Sequence, residues 1–416
     1  MKKNLITGLL GLLISPMCLF AQQEGIQLQR QTSWSTILEK AKKEHKFIFL
    51  DAYTSWCGPC KYMTDNIFPL KEVGDFFNSN FISVQMQLDK TKGDNDNVKF
   101  SYKDADSLGK AYNIKVYPTF LFFDSDGKVL HRTTGAAPAE IFISRAKEAL
   151  DPASQYYTLL RRLETNPTDT SVLRKLALHA QSMREDAMAA KLSEKYLSLV
   201  PDIYTKDIIK FMLALTIDSK SKNFPVFLNQ GHKIDSVMGK GTTVRKIMEI
   251  AIEEEDFRIS GESKQMPNWI KIRPELEKKY PGYGTRITLN LQINYDVTTK
   301  RWTDLVRSVN IYNEKYNWGL APNELNWIAG EVFENCEDPK VVNNALNWVK
   351  HSRDAAKQSL ELIYIDLLYK SGHKAESLRI AEGMKNMIMM GNPDYFRNLI
   401  SKMKKGEKTW GQTSGH

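Results

Sequence analysis

The sequence predicts a mixed α/β layered domain over its first third and an all-α region of helical hairpins over the rest. Three observations carry this. Between residues 33 and 50 the apolar pattern changes from helical three-and-four spacing to a continuous run of strand length, and it keeps switching between the two kinds up to residue 150. From Asp151 onward only the helical spacing recurs. Two cysteines, Cys57 and Cys60, stand two residues apart at one of the changeovers, within FIFLDAYTSWCGPCKYM.

The first segment is a leader. Lys2 and Lys3 precede a mostly apolar stretch from Leu5 to Phe20, interrupted by Gly8, Gly11 and Pro16 and followed by polar Gln22 and Gln23. That is the pattern of a secretory signal cut after Ala21. The run is shorter than the roughly 20 apolar residues a membrane-spanning helix needs. Cys18 invites a lipid-anchor reading, against which Ser15, Pro16 and Met17 lack the small residue expected before a lipidated cysteine. The expectation is an exported, periplasmic protein with a signal peptide at 1–21, a first domain at 22–150 and a helical domain at 151–416. Loss of Lys2 and Lys3 with the leader lowers the formal charge from +9 to +7, mildly basic. The lysine clusters around Lys42 and Lys404 are interleaved with acids and carry no aromatic-basic stripe, so they read as solvated helix faces and not as a nucleic-acid surface.

In the layered region, residues 33–45 place Trp34, Ile37, Leu38 and Ala41 on one helical face, and 47–50 (FIFL) is a strand. Residues 59–78 read as helix broken near Pro69, and 81–88 as strand. A polar insertion from Asp89 to Asp104 leads to a short helix at 105–112. Strand 119–123, the turn Asp124-Ser125-Asp126-Gly127, strand 128–131 and a closing helix at 138–150 complete the domain. A crossover unit followed by a hairpin and a helix gives one mixed sheet covered by helices. Beyond Asp151, segments such as 172–181, 187–199, 244–253, 302–312, 324–333, 355–369 and 375–390 have helical periodicity, with short connections such as Ser371-Gly372-His373. LLYKSGHKAESLRIAEGM resembles one hairpin of a tetratricopeptide-type array, and ELNWIAG and ALNWVKH hint at duplication. Residues 261–299 break the pattern and are a candidate division of the helical part.

Asp51 at the end of an apolar strand, Trp56-Cys57-Gly58-Pro59-Cys60-Lys61 opening a helix, Tyr117-Pro118-Thr119 before the next strand and Gly135 after the hairpin follow one order and spacing. On these residues, 30–150 resembles a thioredoxin-family domain, most similar to the exported domains of thiol:disulfide interchange proteins. The resemblance covers under a third of the chain. It implies a thioredoxin fold and protein-disulfide oxidoreductase activity without a cofactor or metal. It also implies that disulfide-containing proteins and a thiol electron donor are the partners. Within it Pro118 is a cis-proline facing the cysteines. Trp56, Gly58, Pro59, Tyr117 and Thr119 border the substrate, and Asp51 is the buried acid that takes the Cys60 proton. The lysine that often pairs with that acid is replaced at the corresponding position by Gln85, and Tyr117 is bulkier than the usual residue.

The residues themselves support this chemistry. A cysteine at a helix start has its sulfur against unpaired N–H groups and the positive end of the helix dipole, which favours thiolate. Cys60, one turn further in, is expected to be more shielded. Zinc needs four ligands, and beyond the pair the chain without its leader offers Cys336 and scattered histidines with no partnered spacing. A purely structural disulfide would close too short a loop to restrain much chain entropy. Two main function classes remain open at this stage, with a disulfide isomerase a less favoured third. The first is a protein-disulfide reductase whose helical region recruits partner or substrate. The other is a helical interaction scaffold carrying the first domain as adaptor or redox switch.

Other features have plainer readings. Cys336 reads as a small buried hydrophobe. Asp94-Asn95-Asp96-Asn97 reads as a solvated insertion and lacks the full calcium-loop pattern. The six histidines from His45 to His373 form no cluster along the sequence. Met384, Met387, Met389 and Met390 read as helix core before any adaptable peptide surface.

Overall fold

A two-residue strand, β1 (Leu28–Gln29), leads to Ser33, whose hydroxyl accepts from the Thr36 N–H and caps α1 (Trp34–Glu44). The computed structural model describes residues 25–29, 32–262, 266–356, 360–386 and 394–411. The leader read at 1–21, with Cys18, and the methionines 387, 389 and 390 lie outside them. After α1 come β2 (Phe47–Tyr53), α2 (Gly58–Tyr62) running into a π-helical turn (Met63–Ile67), α3 (Lys71–Asn80) and β3 (Phe81–Gln87). Then follow α4 (Asp96–Ala111), β4 (Thr119–Phe123), β5 (Val129–Thr134) and α5 (Ala139–Leu150).

The sheet order is β1-β3-β2-β4-β5, with β1, β3 and β2 parallel and with β4 antiparallel to β2 and β5 antiparallel to β4. β2 lies at the centre and is buried on both faces. Its alternation divides the core: Ile48, Leu50 and Ala52 pack with Ile37, Ala41 and Leu108, while Phe49 packs with Phe68, Phe77, Phe120 and Phe142. Asp51, two residues beyond Phe49, therefore faces the same layer as α2 and α3.

Three departures from the sequence reading have local causes. Half of the supposed polar insertion is the first part of α4, because the Asn95 side chain accepts from the Val98 N–H and starts a helix too polar to announce itself by periodicity. β5 continues past His131 to Thr134, and its residues His131, Arg132, Thr133 and Thr134 are buried polar groups that disguised the strand. Residues 261–299, read as a break, carry two helices.

Two compact units divide the chain between Leu215 and Thr216. In the first, α6 (Tyr156–Thr165), α7 (Thr170–Ser182), α8 (Asp186–Leu197) and α9 (Lys206–Leu215) surround a core of Leu159, Leu173, Leu176, Tyr196 and Phe211. They also cover the outer strand of the sheet. Tyr156 N donates to His131 Nδ1 (3.1 Å), Arg132 Nη1 to Glu185 Oε1 (3.0 Å) and Thr134 Oγ1 to the Ser182 carbonyl (3.0 Å). The second unit is all-α among the described residues. Its helices are α10 (Phe224–Met238), α11 (Thr242–Glu262), α12 (Trp269–Lys279), α13 (Gly284–Thr298) and α14 (Trp302–Tyr316). α15 (Pro322–Asn335), α16 (Pro339–Ala356), α17 (Glu361–Lys370), α18 (Lys374–Gly383) and α19 (Tyr395–Lys404) follow. Cys336 is buried and free in its core beside Val332 and Val341, as expected of a small hydrophobe. No helix among the described residues is long and apolar enough to cross a membrane.

Candidate functional site

Strand β2 delivers the chain to a tight turn at Thr54-Ser55-Trp56, and Cys57 N donates to the Thr54 carbonyl (3.2 Å). Cys57 is then the N-cap of α2: its Sγ accepts from Cys60 N at 3.1 Å, satisfying one of the helix's unpaired N–H groups. Pro59 occupies the first turn, where its missing N–H costs nothing. The helix continues without interruption through the π turn, and Phe68 N reaches back to the Met63 carbonyl (2.8 Å). Cys57 and Cys60 are joined as a disulfide with Cα atoms 5.3 Å apart. In this state the two are equally enclosed, 3% exposed each, so the expected difference in shielding is absent from the oxidised form. A Cβ at Gly58 would meet nothing within 4 Å, so the residue between the cysteines faces open space.

Asp51 stands opposite Gln85 on β3 and Phe120 on β4. Gln85 Nε2 donates to Asp51 Oδ2 (2.9 Å) and lies 3.3 Å from the Thr64 hydroxyl, one turn beyond Cys60 on the same helix face. This chain of contacts ties the acid to the cysteine helix. Asp51 is 1% exposed, and its Oδ1 has no hydrogen-bond partner among the described residues. Burial pushes its pKa up from 3.8 to about 7, against the smaller opposing effect of the Gln85 hydrogen bond. A neutral amide satisfies one oxygen without supplying the positive charge that would hold the carboxylate ionised.

The Tyr117–Pro118 peptide bond is cis. The Tyr117 ring meets Trp56 edge-on, with centroids 5.8 Å apart, and Trp56 is 71% exposed. Asp89 accepts hydrogen bonds from Ser55 N (2.8 Å) and the Ser55 hydroxyl, fastening the loop after β3 to the turn before the cysteines. Burial, with the nearby Asp89 charge, raises the Tyr117 pKa. Thr119 is fully buried and its hydroxyl donates to the Val116 carbonyl (2.6 Å), so its side chain braces the loop and is withdrawn from the surface.

A layered sheet with a disulfide at a helix start, a buried acid on its central strand and a cis-proline before β4 is accompanied by sequence matches. The family described as a thioredoxin-like domain matches residues 34–150. Residues 34–150 form a thioredoxin-like domain. Over 130 residues the chain is 32% identical to the chloroplastic thioredoxin Y of Oryza sativa subsp. japonica, covering 31% of this chain and 65% of that one. Over 115 residues it is 32% identical to the thiol:disulfide interchange protein DsbD of Pseudoalteromonas atlantica, covering 27% and 18%. Among solved structures a DsbH oxidoreductase aligns over 36% of this chain and 94% of its own, with 23% identity and a TM-score of 0.27. The chain thus spans less than two thirds of the length of these two curated relatives.

One cluster near the thioredoxin-like sheet escaped the sequence reading, because its members are 17 or more positions apart. His131 and His179 each place Nε2 3.9 Å from Glu148 Oε2. Tyr156 N–H donates to His131 Nδ1, so the neutral ring keeps its own proton on Nε2, the atom that faces Glu148 and His179. A ring in that tautomer offers no lone pair to a cation there. Burial and the adjacent His179 lower the His131 pKa to about 3, so the ring stays neutral.

Proposed function

We propose that this protein is an exported, periplasmic thiol:disulfide oxidoreductase of the protein-disulfide reductase kind, and that its helical part recruits the partner or substrate. The observation that carries the reading is the Cys57–Cys60 pair capping a helix tied through Gln85 to the buried Asp51. In the reduced protein the Cys57 thiolate attacks one sulfur of a substrate disulfide, forming a mixed disulfide and releasing the other substrate sulfur as thiolate. Cys60 gives its proton to Asp51 and attacks Cys57 Sγ. The second substrate thiolate leaves, and the Cys57–Cys60 disulfide re-forms. Two electrons pass to the substrate, and a thiol donor returns two to the protein.

An acid whose pKa lies near 7 suits that proton transfer at neutral pH. The backbone of Tyr117 has no hydrogen-bond partner among the described residues and is free to pair with an extended substrate segment, while Trp56 and the Tyr117 ring narrow the approach.

Trapping with Cys60→Ser tests this. Several clients held covalently through Cys57 support the oxidoreductase, and none held excludes it. The direction of transfer follows from the reduction potential: a value near roughly −270 mV marks a reductase and one near roughly −120 mV an oxidant.

A further inference from the structure

The second unit contains a cleft of about 560 Å³ between α11, α13 and α15, within the range of roughly 300–1,000 Å³ typical of ligand sites. Its two long walls differ in chemistry. On α13, Arg286, Asn290 and Asn294 form one row of polar side chains at four-residue spacing. On α11, Val244, Met248 and Ile252 form an apolar row with the same spacing, and the half-exposed Trp327 of α15 adds to it.

Arg286 is a fixed cation. Its Nε donates to the Tyr312 hydroxyl (2.9 Å) and its Nη2 to the Gly319 carbonyl (3.1 Å), and its guanidinium lies 4.7 Å from the centre of the Tyr316 ring. Among the described residues no ion pair within 4 Å neutralises it, although the Glu324 carboxylate is near enough to feel its charge, and the two hydrogen bonds leave three of its five N–H groups for an anion. Beside it α15 begins at Pro322, and the carboxylate of Glu324 in its first turn already accepts from the Ala321 N–H, so the cation of this wall is Arg286 and not the helix start. Glu324 is already engaged, accepting from Asn290 Nδ2 and from Ala321 N.

From this geometry we infer that the cleft binds the C-terminal end of an extended polypeptide with apolar residues at alternate positions, its terminal carboxylate on Arg286. The inference rests on the reading of the helical part as the recruiting part. Each four-residue step along α13 or α11 advances about 6 Å. Two residues of extended chain advance about 6.6–6.8 Å. A strand-like segment lying in the cleft thus turns its backbone amides to Asn290 and Asn294, and every second side chain to Met248 and Ile252. With the backbone on the polar row, the anion that reaches Arg286 is the one the backbone itself carries, its terminus. Arg245, Glu249 and Glu253 also line α11, and the two glutamates against one arginine leave that wall acidic, which disfavours acidic side chains there.

The test uses the oxidised full-length chain and the peptide acetyl-Leu-Ser-Leu-Ser-Leu as free acid and as C-terminal amide, with decanoate as a third probe, in calorimetric titrations. The acid is expected to bind about tenfold or more tightly than the amide, a preference that falls to about one in Arg286→Gln and persists in part in Arg286→Lys. Equal binding of acid and amide, binding of neither, or a preference undiminished in Arg286→Gln overturns the inference. Decanoate binding as tightly as the peptide acid overturns its peptide part. Reduction of a small aromatic disulfide, measured on the same samples after reduction of the pair, separates the two readings. Lost turnover with the acid preference intact defeats the redox reading, and intact turnover without the preference defeats this one.

Discussion

Replacing Asp51 by asparagine isolates the cost of a buried acid. Folding moves this carboxyl from 3.8 to about 7. The folded chain therefore holds the proton more tightly than the unfolded one, and in this respect stability is highest below pH 3.8. It falls as the pH rises through the window up to about 7 and is level above it. At 1.36 kcal/mol per pH unit the whole window is worth on the order of 4 kcal/mol. The asparagine variant retains an oxygen for Gln85 Nε2 and cannot ionise, so it escapes the loss. The stability gap in its favour should widen by about 3 kcal/mol between pH 4.5 and pH 8.5. Urea titrations of the oxidised full-length protein, scored by proteolytic cutting within residues 25–215, read this gap at each pH. A gap that stays constant or narrows with rising pH refutes the assignment of a buried acid with a raised pKa and no compensating charge, tied through Gln85 to the cysteine helix. The same variant should form the mixed disulfide at nearly the wild-type rate and resolve it slowly.

Gln85→Lys puts an ammonium against Asp51 and should bring its titration, followed by carbonyl NMR, down towards the ordinary carboxylate range. Arg132→Ala strips the partner from Glu185 at a 4% exposed arginine; because Glu185 is 29% exposed and can rehydrate, the loss should be about 2–3 kcal/mol, seen as earlier proteolysis of residues 156–215. Gly74→Ala drives a Cβ into the Gly25 carbonyl, a backbone group and not the flexible end of a side chain, and should lower stability by about 1–3 kcal/mol in thermal melts.

The parts of the fold that sequence made visible are those where burial and periodicity coincide. β2, β4 and the apolar face of α1 are examples, as is the break at Pro69 between the two helices that follow the cysteines. The pair Asp51 and Gln85 was legible only through the family resemblance, which names the position on the adjoining strand that faces the acid; in the sheet the two stand opposite each other. What stayed hidden was stabilised by polar contacts at a distance. β5 looked short because its second half buries His131, Arg132 and Thr134 against helices that begin 22 or more positions later. The start of α4 depends on one asparagine side chain. Thr119 sits beside Pro118 in sequence and so looked like a surface group, yet strand geometry turns it inwards. The His131, Glu148 and His179 cluster has no local signature at all.

The helices laid over β5 alter what counts as the smallest autonomous piece of this protein. A fragment ending at residue 150, where the family resemblance stops, would leave an uncovered sheet edge and an arginine, a histidine and a threonine stripped of their hydrogen-bond acceptors and donors, an invitation to edge-to-edge aggregation. A fragment ending at 215 keeps that flank sealed. Reading the redox domain as detachable at its homology limit therefore mistakes where evolutionary likeness ends for where physical self-sufficiency begins.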